Sequence, residues 1–145
     1  MVKLLFLVFL AGWMPVNKTP SAELVCDKWL STEKNLIVHV FKEGTDYKAK
    51  VVWFNSKDKS KAMEEWTDVR NPDPALRDRK LIGMSILEGM DYMPKSGTWE
   101  NGKIYDAKNG RYWSASAYVN NEGVLQVTGY WQFKFIGRTM SFTRI

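Results

Sequence analysis

The sequence predicts an all-β domain of about eight antiparallel strands closed into a barrel, and three observations carry that prediction. Short apolar runs are cut by turn residues at roughly eight- to twelve-residue spacing, the rhythm of a β-sandwich or barrel. Within the runs, apolar and polar residues alternate with the period of two that a half-buried strand requires. The runs number about eight, which lets an antiparallel sheet close on itself and lose its edges.

The N-terminus reads as an export signal. Met1-Val2-Lys3 supplies a short positive start, and Leu4 to Trp13 is an apolar run without a charge. At ten residues it is too short to span a bilayer, which takes about 20, and it fits the roughly 7–15 of a signal core. Ala22 has the small side chain that precedes cleavage. The expected organisation is therefore a signal over 1–22 and one barrel domain over 23–145, exported to the periplasm or beyond, with no transmembrane segment in the mature chain. Cys26 follows Glu23-Leu24-Val25, not a small residue, which excludes a lipoprotein signal. A single Cys cannot close an internal disulfide, so packing must stabilise the domain.

The elements follow in order. Residues 24–31 form a first strand. Residues 35–41 and 47–54 form a hairpin in which Tyr47, Ala49, Val51 and Trp53 share one face and Lys48 and Lys50 the other. The charged stretch 55–69 and the proline-bearing stretch 70–79 interrupt the rhythm, because proline cannot sit inside a sheet. Together they make a long loop with short helical turns near Met63 to Trp66 and over Ala75 to Asp78. Asp73 before Pro74 reads as an N-cap with proline at the first helical position. Strands resume over 80–90, 97–106, 110–119, 124–133 and 137–144. Between two of them, "DAKNG" offers Asp106 at the turn entry and Gly110 for positive φ at its exit. In 110–119, Arg111, Trp113, Ala115, Ala117 and Val119 share the face that suits a tapering interior.

Composition narrows function by exclusion. The net charge is +5, and without Lys3 and Lys18 it falls to +3, too little and too scattered for a nucleic-acid footprint. His39 is the only histidine, and it alternates away from Val38 and Val40 as an exposed strand residue would. With no second His and no thiolate beside it, no metal site is expected. No nucleophile elbow and no phosphate-binding glycine loop is present. Asp68, Asp73 and Asp106 all fall in predicted turns. A hydrolase would need two of them to face one cleft at about 5–10 Å. Asp73 instead reads as a cap, Asp106 as a turn opener and Asp68 as a partner of Arg70 or Arg79, so no catalytic residue and no cofactor is assigned.

Four segments carry a resemblance: "WLSTEKNLIVHVFKEGTDYKAKVVWF", "RNPDPALRDRKLIG", "GKIYDAKNGRYWSA" and "LQVTGYWQFKFIGRTMSFTR". They resemble the bacterial domain-of-unknown-function family 2147, in the same order and over the whole mature chain. The resemblance implies a secreted or periplasmic, lipocalin-like, up-and-down barrel. It departs at Asp27 and Ala49, where the family usually has Gly, at Phe142, where Trp is common, and at Trp113, where Tyr is common. It further implies that Trp29 lies across the closed end of the barrel under Arg144 from the last strand.

The aromatic residues of the strands fit two roles, core filling and the wall of a ligand cavity. The leading functional expectation is non-enzymatic binding of a small apolar or amphipathic ligand, with Trp53, Trp99, Trp113 and Tyr105 at the mouth or interior and Arg79 or Arg138 as the polar anchor. The alternative is an envelope interaction module with a filled barrel, acting through loop 55–79 on a protein partner the sequence does not identify. A hydrolase using turn carboxylates is the weakest of the three.

Overall fold

Eight strands close into a barrel in the computed structural model, which describes Gly12 and residues 21–145. The apolar run Leu4 to Trp13, Lys3 and Lys18, on which the expected export signal rests, lie, Gly12 apart, outside the described residues. The strands are β1 (Lys28–Ser31), β2 (Leu36–Glu43), β3 (Asp46–Phe54), β4 (Ser85–Met93), β5 (Thr98–Asp106), β6 (Arg111–Val119), β7 (Leu125–Tyr130) and β8 (Arg138–Arg144). Each pairs antiparallel with the next, and β8 returns to β1 through Trp29↔Arg144, Leu30↔Thr143 and Ser31↔Phe142. None of these eight strands is left with an open edge, so the barrel escapes the edge-to-edge pairing that open sheets invite.

Three predicted strands lose three or more residues at one end, each for a local reason, while β2 and β4 run on to Glu43 and Met93. The first strand starts at Lys28, not Leu24, because Ala22–Val25 winds into a 3-10 turn capped by the Ser21 hydroxyl. The strand expected from residue 80 starts at Ser85, because 80–84 turns back through Gly83 at φ +78°. The strand expected to reach 133 ends at Tyr130. Gln132 adopts φ +70°, and a 3-10 turn follows over Lys134–Ile136. The helical turns of the long loop lie at Met63–Glu65 and Pro74–Leu76, the second with the Asp73 carboxylate accepting from Ala75 N–H at 3.0 Å.

Strand direction sorts the connections to two ends. One end carries the 3-10 turn 22–25 and the turns after β2, β4 and β6. The other carries the turn after β1, the long connection 55–84, the turn 107–110 and the loop 131–137. The first end is packed shut. Trp29 has no exposed surface, its indole N–H donates to Val25 C=O at 2.8 Å, and the Arg144 guanidinium lies 4.5 Å from its ring centroid. Arg144 is itself held by Asp27 at 2.8 Å and by Leu24 C=O at 2.7 Å. The N-terminal turn is thereby fastened across the barrel floor.

Above that floor the interior is filled by matching large against small. Trp99 on β5 pairs with Ala117 on β6, and Gly102 with Ala115. Met90 lies over Gly102 so closely that a Cβ there would collide with its Sδ. Tyr47 meets Trp99 edge-on, with centroids 6.3 Å apart. The space beside Ala115 and Ala117 thus holds Trp99 and Met90.

Arg144→Ala removes the cation over Trp29 together with two hydrogen bonds of the floor. A loss of about 2 kcal/mol is expected, or roughly 5–10 °C in melting temperature for a domain of this size. Arg144→Lys, which keeps the charge but loses the fork, should fall between. Thermal unfolding followed by near-ultraviolet circular dichroism checks both.

Candidate functional site

The mouth of the barrel is built by the long connection after β3, and one buried carboxylate fixes where that connection lies. Residues 66–68 and 79–81 run antiparallel as a short ribbon: Thr67 bridges Lys80, Asp68 N–H donates to Arg79 C=O at 2.9 Å, and Leu81 N–H donates to Trp66 C=O at 3.0 Å. Asp68 projects from this ribbon with no exposed surface. Its Oδ1 accepts from the Tyr105 hydroxyl at 2.7 Å. Its Oδ2 accepts from Asn71 Nδ2 at 2.8 Å and Arg79 Nη2 at 2.9 Å. The Arg79 guanidinium also lies 5.9 Å from the Tyr105 ring centroid. Gly110, at φ +64°, sits so tightly on Arg70 C=O that a Cβ would strike it. The long connection is therefore keyed to β5 and to the turn that follows it.

Burial alone pushes the Asp68 carboxyl up. The hydrogen bonds from Asn71, Tyr105 and Arg79, with the arginine charge, outweigh that and hold it below the usual carboxylate range. Burial, followed by the bond to Asp68, pushes the Tyr105 hydroxyl up to about 12. The pair is thus fixed as carboxylate and neutral phenol at neutral pH, a structural arrangement with no proton poised for transfer.

Beside this anchor, at the end of β3, lies a hollow of about 250 Å³. Trp53, Phe54 and Met63 supply its apolar surface, and Asn55, Ser56, Asp58, Lys59 and Lys61 its polar rim. Phe54 N–H points at the Met63 sulfur at 3.5 Å, which ties the loop to the strand. Lys59 is held by the Asn55 side chain at 2.9 Å, and Lys61 lies over the Trp66 ring at 5.1 Å. Asn55 and the Trp66 ring thus hold both ammonium groups near the rim, where Lys61 also feels the charge of Asp58. A second hollow of about 230 Å³ is lined by Asp46, Lys48, Glu88, Gly89, Asn101 and Lys103, with no large apolar side chain among them.

The residues singled out from the sequence do not converge on one cavity. Trp53 lines the hollow. Trp113 is half-buried near the mouth, across from Ile104 and beside Gly129. Trp99 belongs to the packed core at the opposite end and is 2% exposed. Tyr105 alternates away from Ile104, faces the long connection and spends its hydroxyl on Asp68. Arg79 is committed to the same carboxylate. Arg138 is exposed at the start of β8. Asp106 accepts from the backbone and side chain of its own turn, at 3.0 Å from Lys108 N–H and 2.7 Å from Asn109 Nδ2. Asp68, Asp73 and Asp106 each serve a separate local structure. Among the described residues no group of three or more His, Cys, Asp and Glu comes together to hold a metal. Sequence reasoning missed the Asp68–Tyr105 contact. The two residues stand 37 positions apart, and no periodicity links a loop carboxylate to the outer face of a strand.

The sequence pattern of the family described as "Uncharacterized protein conserved in bacteria (DUF2147)" matches residues 27–144. No curated protein matches the chain. Among solved structures it is similar to protein HP1028 from the human pathogen Helicobacter pylori, described as belonging to the lipocalin family. The TM-score is 0.71 and the identity 25%, over 83% of this chain and 82% of that one.

Asp68→Ala leaves a phenol, an amide and a guanidinium without their acceptor, and a loss of about 3–5 kcal/mol is expected in chemical denaturation. Alkaline pH provides a second check through Tyr105. Its folded value, about 12, exceeds the unfolded value of about 10. The contribution is whole below about pH 10 and is lost as pH rises from there towards 12. Tyr105→Phe, destabilised by about 1–3 kcal/mol at pH 7, should lack that share of the alkaline loss.

Proposed function

The chain belongs to the DUF2147 family of uncharacterized bacterial proteins and has a lipocalin-like fold, and from that premise we propose that it is an exported binding protein for a small amphipathic ligand. The observation that carries this reading is the hollow at the end of β3. Its Trp53, Phe54 and Met63 surface suits an apolar chain, and Lys59 and Lys61 at the rim suit an anionic head. Its volume of about 250 Å³ falls slightly below the usual range for ligand sites of about 300–1,000 Å³. It therefore suits a short chain or the end of a longer one. The ligand lies at the mouth, because Trp99 and Met90 occupy the space deeper in the barrel. Export is supported by the charged start and apolar run of the first 13 residues.

Native mass spectrometry of protein purified without lipid stripping, with titration against a panel of fatty acids and lysolipids, tests the reading. A retained adduct or micromolar binding is expected. Trp53→Ala should weaken it roughly tenfold, equivalent to about 1.4 kcal/mol. Lys61→Ala should weaken anionic ligands and spare neutral ones. A clean apo mass with no binding across the panel would overturn the proposal.

A further inference from the structure

The loop after β7 presents an apolar surface that the ligand hollow does not use. Within six residues Trp131 is 72% exposed, Phe133 53%, Phe135 85% and Ile136 70%. Folding normally hides such side chains, and contiguous exposed apolar patches on soluble proteins mark a surface that meets something else. The loop is held in shape. Phe133 and Phe135 stack with centroids 5.5 Å apart, and Lys134 is tied to the Glu100 carboxylate. Gly137 packs against Gly129 C=O and Tyr130, where a Cβ would be crowded at 2.7 Å and 2.9 Å. The four large side chains are thus displayed on a braced tip.

We propose that this tip docks the barrel, mouth first, on an anionic phospholipid surface. Shape and charge both select that occupant. The tip joins the adjacent antiparallel strands β7 and β8 and displays four large exposed apolar side chains, which suits insertion between headgroups. Tryptophan and phenylalanine are the side chains that settle at that boundary. Charge is polarised along the barrel axis. The connections at the mouth, 32–35, 55–84, 107–110 and 131–137, hold ten basic and seven acidic residues; those at the opposite end, 21–27, 44–45, 94–97 and 120–124, hold one basic and three acidic. At the strand ends of the mouth stand exposed Arg138 and Arg111, the latter opposite Asp106. Each basic residue brought near an anionic bilayer contributes roughly fivefold in affinity, so the charge of the connections and the apolar tip point the same way. Docking would bring the ligand hollow to the lipid surface, yet it stands independently of whether that hollow is filled.

The test places one environment-sensitive fluorophore on full-length protein at Phe135→Cys, with Cys26→Ser removing the native thiol, and a matched label at Thr45→Cys in the opposite end. Phosphatidylglycerol vesicles should shift the Phe135 label to the blue and leave the Thr45 label unmoved. Phosphatidylcholine vesicles should need roughly tenfold more lipid for the same shift. Phe133→Ser with Ile136→Ser should abolish it while thermal unfolding stays unchanged, since both side chains are exposed. No shift at Phe135, or equal shifts at both labels, would overturn the proposal. A Phe135 shift that grows with protein concentration in the absence of vesicles would overturn it in favour of a second copy of the chain.

Discussion

A carboxylate without solvent contact must have its charge answered by donors, and Asp68 has three of them from three parts of the chain. Asn71 is its near neighbour, Arg79 closes the ribbon, and Tyr105 belongs to the barrel wall. Removing Asp68 from water is costly, so the folded state is stable only where all three donors arrive together. That condition places a thirty-residue connection, 55–84, which has little regular structure of its own. The hollow at the end of β3 inherits its shape from this placement, since Lys61 and Met63 lie on the same connection a few residues before Asp68.

A second constraint is volume. Eight strands enclose just enough room for side chains or for one small guest. Here tryptophan and methionine take that room in the lower barrel, accommodated by Gly102, Ala115 and Ala117. Close packing leaves little to be gained there by a guest. That leaves the mouth, where the side chains are half-buried and the connections are long, as the place for the proposed ligand. The two ends differ in build: the floor is sealed by Trp29 under Arg144, whereas the mouth bears the long connection and the aromatic tip.

Much of this architecture was legible in the sequence, because strands and turns are local. The alternation in 47–54 and 110–119, the capping Asp73 and the turn at Asp106 and Gly110 each depend on residues within a few positions of one another. The misplaced boundaries occur where a local competitor wins: the Ser21 cap at the first strand, Gly83 before β4, and positive φ at Gln132 after β7. The site was less legible. Trp53 was identifiable as a wall residue, but Trp99 and Tyr105 share its composition and alternation while facing different neighbours. Only closure of the barrel sends Trp99 to the floor side and Tyr105 under the loop.

The central claim is that the long connection is a fixed part of the barrel mouth because of one carboxylate. Native-state hydrogen exchange tests it most directly. The amides of Asp68 and Leu81, which bond across the ribbon, should exchange nearly as slowly as those of β5 and much faster in Asp68→Asn, with β2 and β3 unaffected. Exchange of those two amides in the wild type as fast as that of the exposed stretch 57–61 would contradict the account.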